Sequence, residues 1–108
     1  EIFNENLTNK IDMCAEEIFA NITFYSYPNS NGFIEVFMSK YDNVIELKFI
    51  DDGIQYNPLE KPDPDITLSP EDRPLGGLGI FMVKQMSKNV EYEYRDNKNI
   101  LKLTFGIE

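Results

Sequence analysis

The sequence predicts a two-layer α/β domain in which helices cover one face of a mostly antiparallel sheet. Three observations lead to this fold class: an apolar stripe at helical spacing near the start, two pairs of short segments typical of strands, and a second apolar helix between those pairs. A length of 108 residues, 42% of them hydrophobic, suits a single domain over residues 1–108 with a real core.

The first predicted helix covers residues 6–25. Its apolar side chains recur every three or four residues and form one stripe, made of Leu7, Ile11, Cys14, Ala15, Ile18 and Ile22. After a turn at 28–32, residues 33–39 and 44–50 are rich in aromatic and branched side chains and flank a short turn at 41–43. They predict the first hairpin.

A proline-rich segment separates this hairpin from the second helix. Five of the six prolines lie between Pro58 and Pro74. Because proline fixes φ and lacks the backbone donor, this segment is neither a helix nor a central strand. Long loops in compact domains are usually lids or binding loops, and we expect a lid loop at about 57–75. Residues 77–88 then predict a helix, and residues 90–95 with 100–105 predict a second hairpin.

Charge and residue counts exclude several classes of function. The chain has 10 basic and 19 acidic side chains and a net charge of −9, which argues against nucleic acid or an anionic membrane as a partner. It has no histidine, so Ser-His-Asp catalysis, histidine-bound zinc and a phosphohistidine acceptor are excluded. The single cysteine fits a reducing compartment, and no apolar run is long enough for a membrane span. We expect a cytoplasmic protein.

Two motifs place polar side chains where chemistry could occur. Glu17 and Asn21 lie one turn apart on one face of the first helix. They are either a solvated polar face or a carboxylate base beside an amide that binds a hard metal ion. Asp51, Asp52 and Gly53 end the second strand. They are either a strand-ending turn or a site whose carboxylate accepts a hydrogen bond from a ligand amine.

A third motif is the glycine-rich segment 76–79, which holds three of the six glycines and leads directly into the second helix. Free N–H groups at the start of a helix bind anions, and glycines let a phosphate come close. The alternative is a flexible hinge. Since no Gly-Lys-Ser/Thr is present, a Walker-type nucleotide site is excluded.

In this order, the motifs resemble the GHKL ATP-binding superfamily, whose domain is the Bergerat fold, and are most similar to bacterial anti-sigma-factor serine/threonine kinases. The resemblance covers roughly residues 7–106. It rests on Glu-x-x-x-Asn at 17–21, Asp-x-Gly at 51–53 and Pro-Leu-Gly-Gly-Leu-Gly at 74–79. The family usually has a strand and a helix before the Glu/Asn helix, and this sequence starts too late to contain them. We therefore expect a trimmed or reduced domain whose bare sheet edge favours pairing with another chain, including a homodimer.

The resemblance implies a role for each matching residue. Glu17 matches the general base, and Asn21 matches the ligand of the single Mg²⁺ that bridges the phosphates of ATP. Asp51 matches the carboxylate that binds the adenine amino group, and Gly53 matches the glycine that permits close packing there.

The resemblance assigns the phosphate side of the site to the segment before the second helix. Gly77, Leu78 and Gly79 match the loop around the phosphates, and residues 57–75 match the ATP lid. Arg73 is our own candidate for closing on phosphate, against the alternative of a solvated loop arginine. The sequence departs from the family at three places. Gln55, Tyr25 and Asn99 stand where a glycine, a histidine and a threonine are common.

The implied function is an ATP-binding regulatory domain. It would transfer the γ-phosphate of ATP to a serine or threonine of an anti-sigma-antagonist-like protein and regulate transcription by binding a sigma factor. Two alternatives stay open. One is an ATP-sensing or partner-binding module without kinase activity, such as a domain of a larger signalling protein or histidine kinase. The other is a degenerate fold that acts only as a protein-interaction surface.

Overall fold

A computed structural model of the chain describes residues 5–60 and 78–107, with the backbone alone at Leu78. The first helix, α1 (Glu5–Asn21), continues into a π-helical turn at Ile22–Ser26. A 3₁₀ turn follows the first hairpin at Pro58–Glu60. The α/β class predicted from sequence is confirmed. In chain order the elements are α1 (Glu5–Asn21), β1 (Ile34–Tyr41), β2 (Val44–Asp51), α2 (Leu78–Met86), β3 (Asn89–Arg95) and β4 (Lys98–Gly106).

The four described strands form one antiparallel sheet in the order β1-β2-β4-β3. The two hairpins are therefore joined through β2 and β4, whose register places Asp51 opposite Asn99. The β3–β4 turn has positive φ at Asp96 (56°) and Asn97 (63°), as in the two-residue turns that match the twist of hairpin strands. The turn thus fixes the register of β3 against β4, which places Tyr94 opposite Asn99.

The core lies between this sheet and both helices. Every second residue of β2 and β4 points to the helices and is buried, because successive strand residues face opposite sides. The predicted stripe of α1 packs on this face, and Ile80 and Val83 of α2 join it. The two-layer arrangement is thus confirmed. The strand residues of the core are Ile45, Leu47, Phe49, Leu101, Leu103 and Phe105.

The outer strand β1 is covered far less than its neighbour β2. Val36 and Met38 stand opposite Phe49 and Leu47 and so lie on the helix side of the sheet, yet they are 43% and 53% exposed. Phe37, on the other side, is 49% exposed. An outer strand with apolar side chains on both faces is suited to pairing, and the homodimer stays a prediction. None of the helices within the described ranges is long and apolar enough to cross a membrane.

Candidate functional site

The last turn of α1 carries Glu17 and Asn21, both half-buried beside the apolar stripe. The Nδ2 atom of Asn21 donates a hydrogen bond of 2.9 Å to the backbone carbonyl of Glu17. This bond uses one of the two N–H hydrogens of the amide and leaves the acceptor atom, Oδ1, to face a ligand. An amide oxygen held in this way is a suitable single ligand for a hard cation such as Mg²⁺.

The first turn of α2 lies directly against Glu17. A Cβ atom built on Gly79 would be 2.1 Å from the Oε2 atom of Glu17, so the carboxylate occupies space that only a glycine leaves open. The structure therefore brings together two motifs that are 62 positions apart. Since the N-terminal end of a helix carries partial positive charge, the position also suits phosphate groups that Glu17 would face.

Of the two neighbouring aspartates, the strand alternation selects Asp51 for the interior. Asp51 is 2% exposed. Its Oδ1 atom accepts hydrogen bonds from the backbone N–H of Gly53 at 3.0 Å and from Nδ2 of Asn99 at 2.9 Å. Asp52 is exposed, and its Oδ1 lies 2.7 Å from the hydroxyl of Tyr27. The geometry thus favours Asp51 for ligand recognition.

Gly53 is required by the chain's own packing. A Cβ atom at this position would lie 2.3 Å from the backbone oxygen of Ser26. That oxygen accepts a hydrogen bond of 2.8 Å from the N–H of Ile54. The close approach at Gly53 is to the end of the π-helical turn, and its approach to a ligand stays a prediction. The extra residue of that turn, which the 3.6-residue period did not predict, sets the position of Ser26.

A small cavity joins Asn21 to Asp51. Its volume is about 20 Å³, room for about one water molecule and too little for a purine. Tyr56 and Pro58, after β2, line it, and the ring of Tyr56 stacks on Tyr25 with 4.6 Å between ring centroids. A nucleotide base can enter only when the segment with Tyr56 moves. Among the residues that the structure describes, the lining consists of Ile18, Asn21, Ile22, Ser26, Phe49, Asp51, Tyr56, Pro58, Tyr92, Asn99 and Leu101.

Asn99, noted in the sequence only as a departure from a family threonine, is a central polar residue of this site. It is 4% exposed. Its Nδ2 donates to Asp51 and to the carbonyl of Ile54, and its Oδ1 accepts from the N–H of Tyr56 and the hydroxyl of Tyr92. Burial raises the pKa of the Tyr92 hydroxyl, and the charge of Asp51 adds to the rise, so Tyr92 stays protonated and able to donate.

One signal in the sequence could have identified Asn99. It occupies an inward position of β4, in phase with Leu101 and Leu103. A polar side chain in the buried phase of a strand is costly unless it is hydrogen-bonded. Its presence there therefore indicates a polar network, though the partners of the network depend on the pairing of β2 with β4.

Some of the predicted site residues are not placed. Arg73, Gly77 and residues 61–75 of the predicted lid lie outside the described residues, and Leu78 is described only as the first residue of α2. Within residues 5–60 and 78–107, no group of three acidic or cysteine side chains could hold a metal ion. The Oδ1 atom of Asn21 is the donor that would fit a Mg²⁺ ion carried by phosphate groups.

Comparison with known proteins gives the family of the chain. The family model described as histidine kinase-like ATPase domain matches residues 1–105. The serine/threonine-protein kinase BtrW of Bordetella bronchiseptica is 26% identical over 95 residues, which cover 87% of this chain and 67% of that protein. Since the family model spans nearly the whole sequence, the chain belongs to the histidine kinase-like ATPase domain family, an ATP-binding family.

Proposed function

We propose that this domain binds Mg·ATP and transfers the γ-phosphate to a serine or threonine of a partner protein, as an anti-sigma-type regulatory kinase. The observation that carries the proposal is the contact between Glu17 and Gly79. It supports the proposal because the Glu17 carboxylate then lies at the start of the helix that would receive the phosphates, one turn from the amide of Asn21. A domain that only bound nucleotide would have no need of a base at that point.

In this proposal the reaction is an in-line phosphoryl transfer. Glu17 accepts the proton of the partner's hydroxyl group while that oxygen forms a bond to the γ-phosphorus. The bond from the γ-phosphorus to the bridging oxygen breaks, and ADP leaves with the electron pair. Because such transfer depends mostly on positioning and charge neutralisation, the main task of the chain is to hold Glu17 and the phosphates in register.

Recognition of ATP divides among the remaining residues. Asp51 accepts the adenine amino group, and Gly53 keeps the loop close enough for that contact. Asn21 provides the amide oxygen that holds Mg²⁺, which neutralises charge on the phosphates when bound. Gly77, Leu78 and Gly79 offer backbone N–H groups to the phosphates, and Arg73 in the lid over 57–75 closes on them.

The first test is thermal unfolding with ADP or ATP, each with Mg²⁺ and with EDTA. A ligand that binds only the folded state raises the free energy of unfolding by about 2.7 kcal/mol at a hundredfold excess over Kd. We expect a rise that needs Mg²⁺. The absence of any rise, with either nucleotide, contradicts ATP binding by this chain.

The second test separates catalysis from binding. E17Q removes the base but keeps the size of the side chain, so we expect loss of phosphoryl transfer of at least about a hundredfold with Mg·ATP affinity little changed. E16Q is the matched control, because Glu16 is the exposed neighbour on the same helix. Equal transfer by E17Q and the wild type would show that Glu17 is not the base.

A second candidate is an ATP-sensing module without transfer, within a larger signalling protein or histidine kinase. The observation that favours it is the cavity of about 20 Å³, which is closed until the segment after β2 moves. A sensor would couple that movement to a partner. Mg·ATP binding without transfer to any serine or threonine substrate would support this candidate over the kinase.

The partners we propose are an anti-sigma-antagonist-like protein as phosphate acceptor, a sigma factor as regulated protein, and a second copy of the chain, all in the cytoplasm. The relative named as a serine/threonine-protein kinase supports a protein as phosphate acceptor, and the exposed strand β1 supports a protein contact.

A further inference from the structure

The buried amide of Asn99 has no remaining capacity for a ligand. An asparagine side chain offers two N–H hydrogens and two acceptor sites. Both hydrogens are directed to protein acceptors, Oδ1 of Asp51 and the carbonyl of Ile54, each at 2.9 Å. The oxygen accepts from Tyr56 at 3.0 Å and from the hydroxyl of Tyr92. Asn99 thus cannot read a base directly, although it lines the base cavity.

The contact with Asp51 determines what that carboxylate can offer. The hydrogen bonds described for Asp51 both end on Oδ1, one from Asn99 and one from the N–H of Gly53. With Oδ1 occupied, Oδ2 is the oxygen left for a ligand. Because the amide of Asn99 donates to Oδ1, Asp51 presents Oδ2 to the ligand as an acceptor.

We propose that Asn99 is a positioning residue for base selection, which fixes Asp51 so that its Oδ2 atom faces the 6-position of a purine. This inference rests on the proposed function, since it needs a nucleotide in the site. A pure acceptor favours a 6-amino purine, which donates there, and rejects a 6-oxo purine, which presents another oxygen. Base selectivity then depends on two side chains: Asp51, which contacts the base, and Asn99, which does not.

The test compares ADP with inosine diphosphate, in which a carbonyl oxygen replaces the 6-amino group. Affinities of both, with Mg²⁺, are measured by calorimetry for the wild type, N99D and N43D. N43D is the matched control for the added negative charge. Asn43 is exposed in the turn between β1 and β2, at the opposite end of β2 from Asp51.

We expect the wild type and N43D to prefer ADP by roughly tenfold to a hundredfold, the size of one hydrogen bond to a charged group. In N99D two carboxyl groups meet and must share a proton or move apart. The preference for ADP should then fall below about threefold, with Asp51 no longer held as an acceptor. A purely structural role would weaken both nucleotides equally and leave their ratio unchanged, and that result would overturn the inference.

If N99D does not fold, N99A replaces it. Alanine removes the hydrogen bond to Oδ1 of Asp51 without adding a charge. We expect the preference for ADP to fall below about threefold here too. An unchanged preference for ADP would overturn the role of Asn99.

The two proposals fail in distinguishable ways. A wild type that binds neither diphosphate overturns the proposed ATP binding, and the inference with it. A wild type that selects ADP, together with an N99D variant that selects it equally well, overturns the inference alone.

Discussion

The two ends of the proposed site are built in different ways. At the base end, Asp51, Gly53 and Asn99 form a network in which each described polar contact is already made within the protein. At the phosphate end, Glu17 meets Gly79 across two helices, and the one side-chain hydrogen bond described there is local, from Asn21 to its own helix. One end is assembled before a ligand arrives, and the other depends on a ligand to complete it.

This difference has a physical reason. A buried carboxylate such as Asp51 is costly unless it is hydrogen-bonded, so the base end must be satisfied in the free protein. The phosphate end is half-buried and reaches solvent, so Glu17 and Asn21 can stay hydrated until a cation and phosphates bind. Changes at the base end should therefore act first on stability, whereas changes at the phosphate end should act first on catalysis.

The largest expected effect is that of G53A, which tests the base end. The added Cβ would be 2.3 Å from a backbone oxygen of Ser26, and neither backbone can turn away. We expect the free energy of unfolding to fall by about 3 kcal/mol, with loss of nucleotide binding. Chemical denaturation measures the change. G106A is the control, since nothing lies within 4 Å of a Cβ built there. Similar stabilities of the two variants would contradict a tight contact at Gly53.

The second effect tests the phosphate end with G79A. Here the added Cβ would meet the Oε2 of Glu17 at 2.1 Å, but a carboxylate at the end of a flexible side chain can rotate away. Alanine also favours a helix more than glycine does, by up to about 1 kcal/mol. We therefore expect stability to be kept or raised, while phosphoryl transfer falls roughly tenfold to a hundredfold because the base is displaced.

The comparison variant for G79A is E17Q. If the glycine acts through Glu17, adding G79A to E17Q should not slow transfer further, since residues that act as a unit are not additive. Single-turnover transfer and a thermal melt on the same preparations give both readouts. A G79A variant that transfers at the wild-type rate would separate Gly79 from the base.

The sequence predicted the phosphate end better than the base end. Glu17 and Asn21 lie on one helix, where spacing alone fixes a shared face. The glycines of segment 76–79 indicate where the next helix begins. The contact partners at the base end come from strand pairing: Asp51 meets Asn99 because β2 pairs with β4 in one register. The periodicity of a single strand gives its faces but not its neighbour. For this reason Asn99 was assigned no role from the sequence.

The backbone also held a feature that no periodic pattern could give. The predicted helix 6–25 is helical over nearly that whole range, but its last part is a π-helical turn. One extra residue in that turn rotates Tyr25 toward Tyr56 and places the oxygen of Ser26 over Gly53. The spacing of the apolar residues Ile18 and Ile22 is compatible with either helix type. The stacking of Tyr25 on Tyr56, which closes the site, was therefore not predictable from spacing.

The smallest expected effect concerns Cys14, one turn before Glu17 on α1 and 1% exposed. Burial, with a smaller contribution from the negative charge of Glu17, raises the pKa of this thiol from 9.0 to about 11. The folded state therefore holds the proton more tightly than the unfolded state does. This contribution to stability is complete below about pH 9 and is lost as the pH rises through about 11.

Titration of Cys14, followed by the ultraviolet absorbance of its thiolate, then tests whether the charge of Glu17 is compensated as fully as that of Asp51. Two donors meet the carboxylate of Asp51, whereas none of the hydrogen bonds described for this part of the chain ends on the carboxylate of Glu17. The charge of Glu17 acts on Cys14 through space. E17Q should lower the pKa of the thiol by a fraction of a unit, because the larger cause, burial, remains. E16Q should leave it unchanged. If E17Q does not lower this pKa, the charge of Glu17 is already compensated, and the phosphate end is as fully satisfied in the free protein as the base end is.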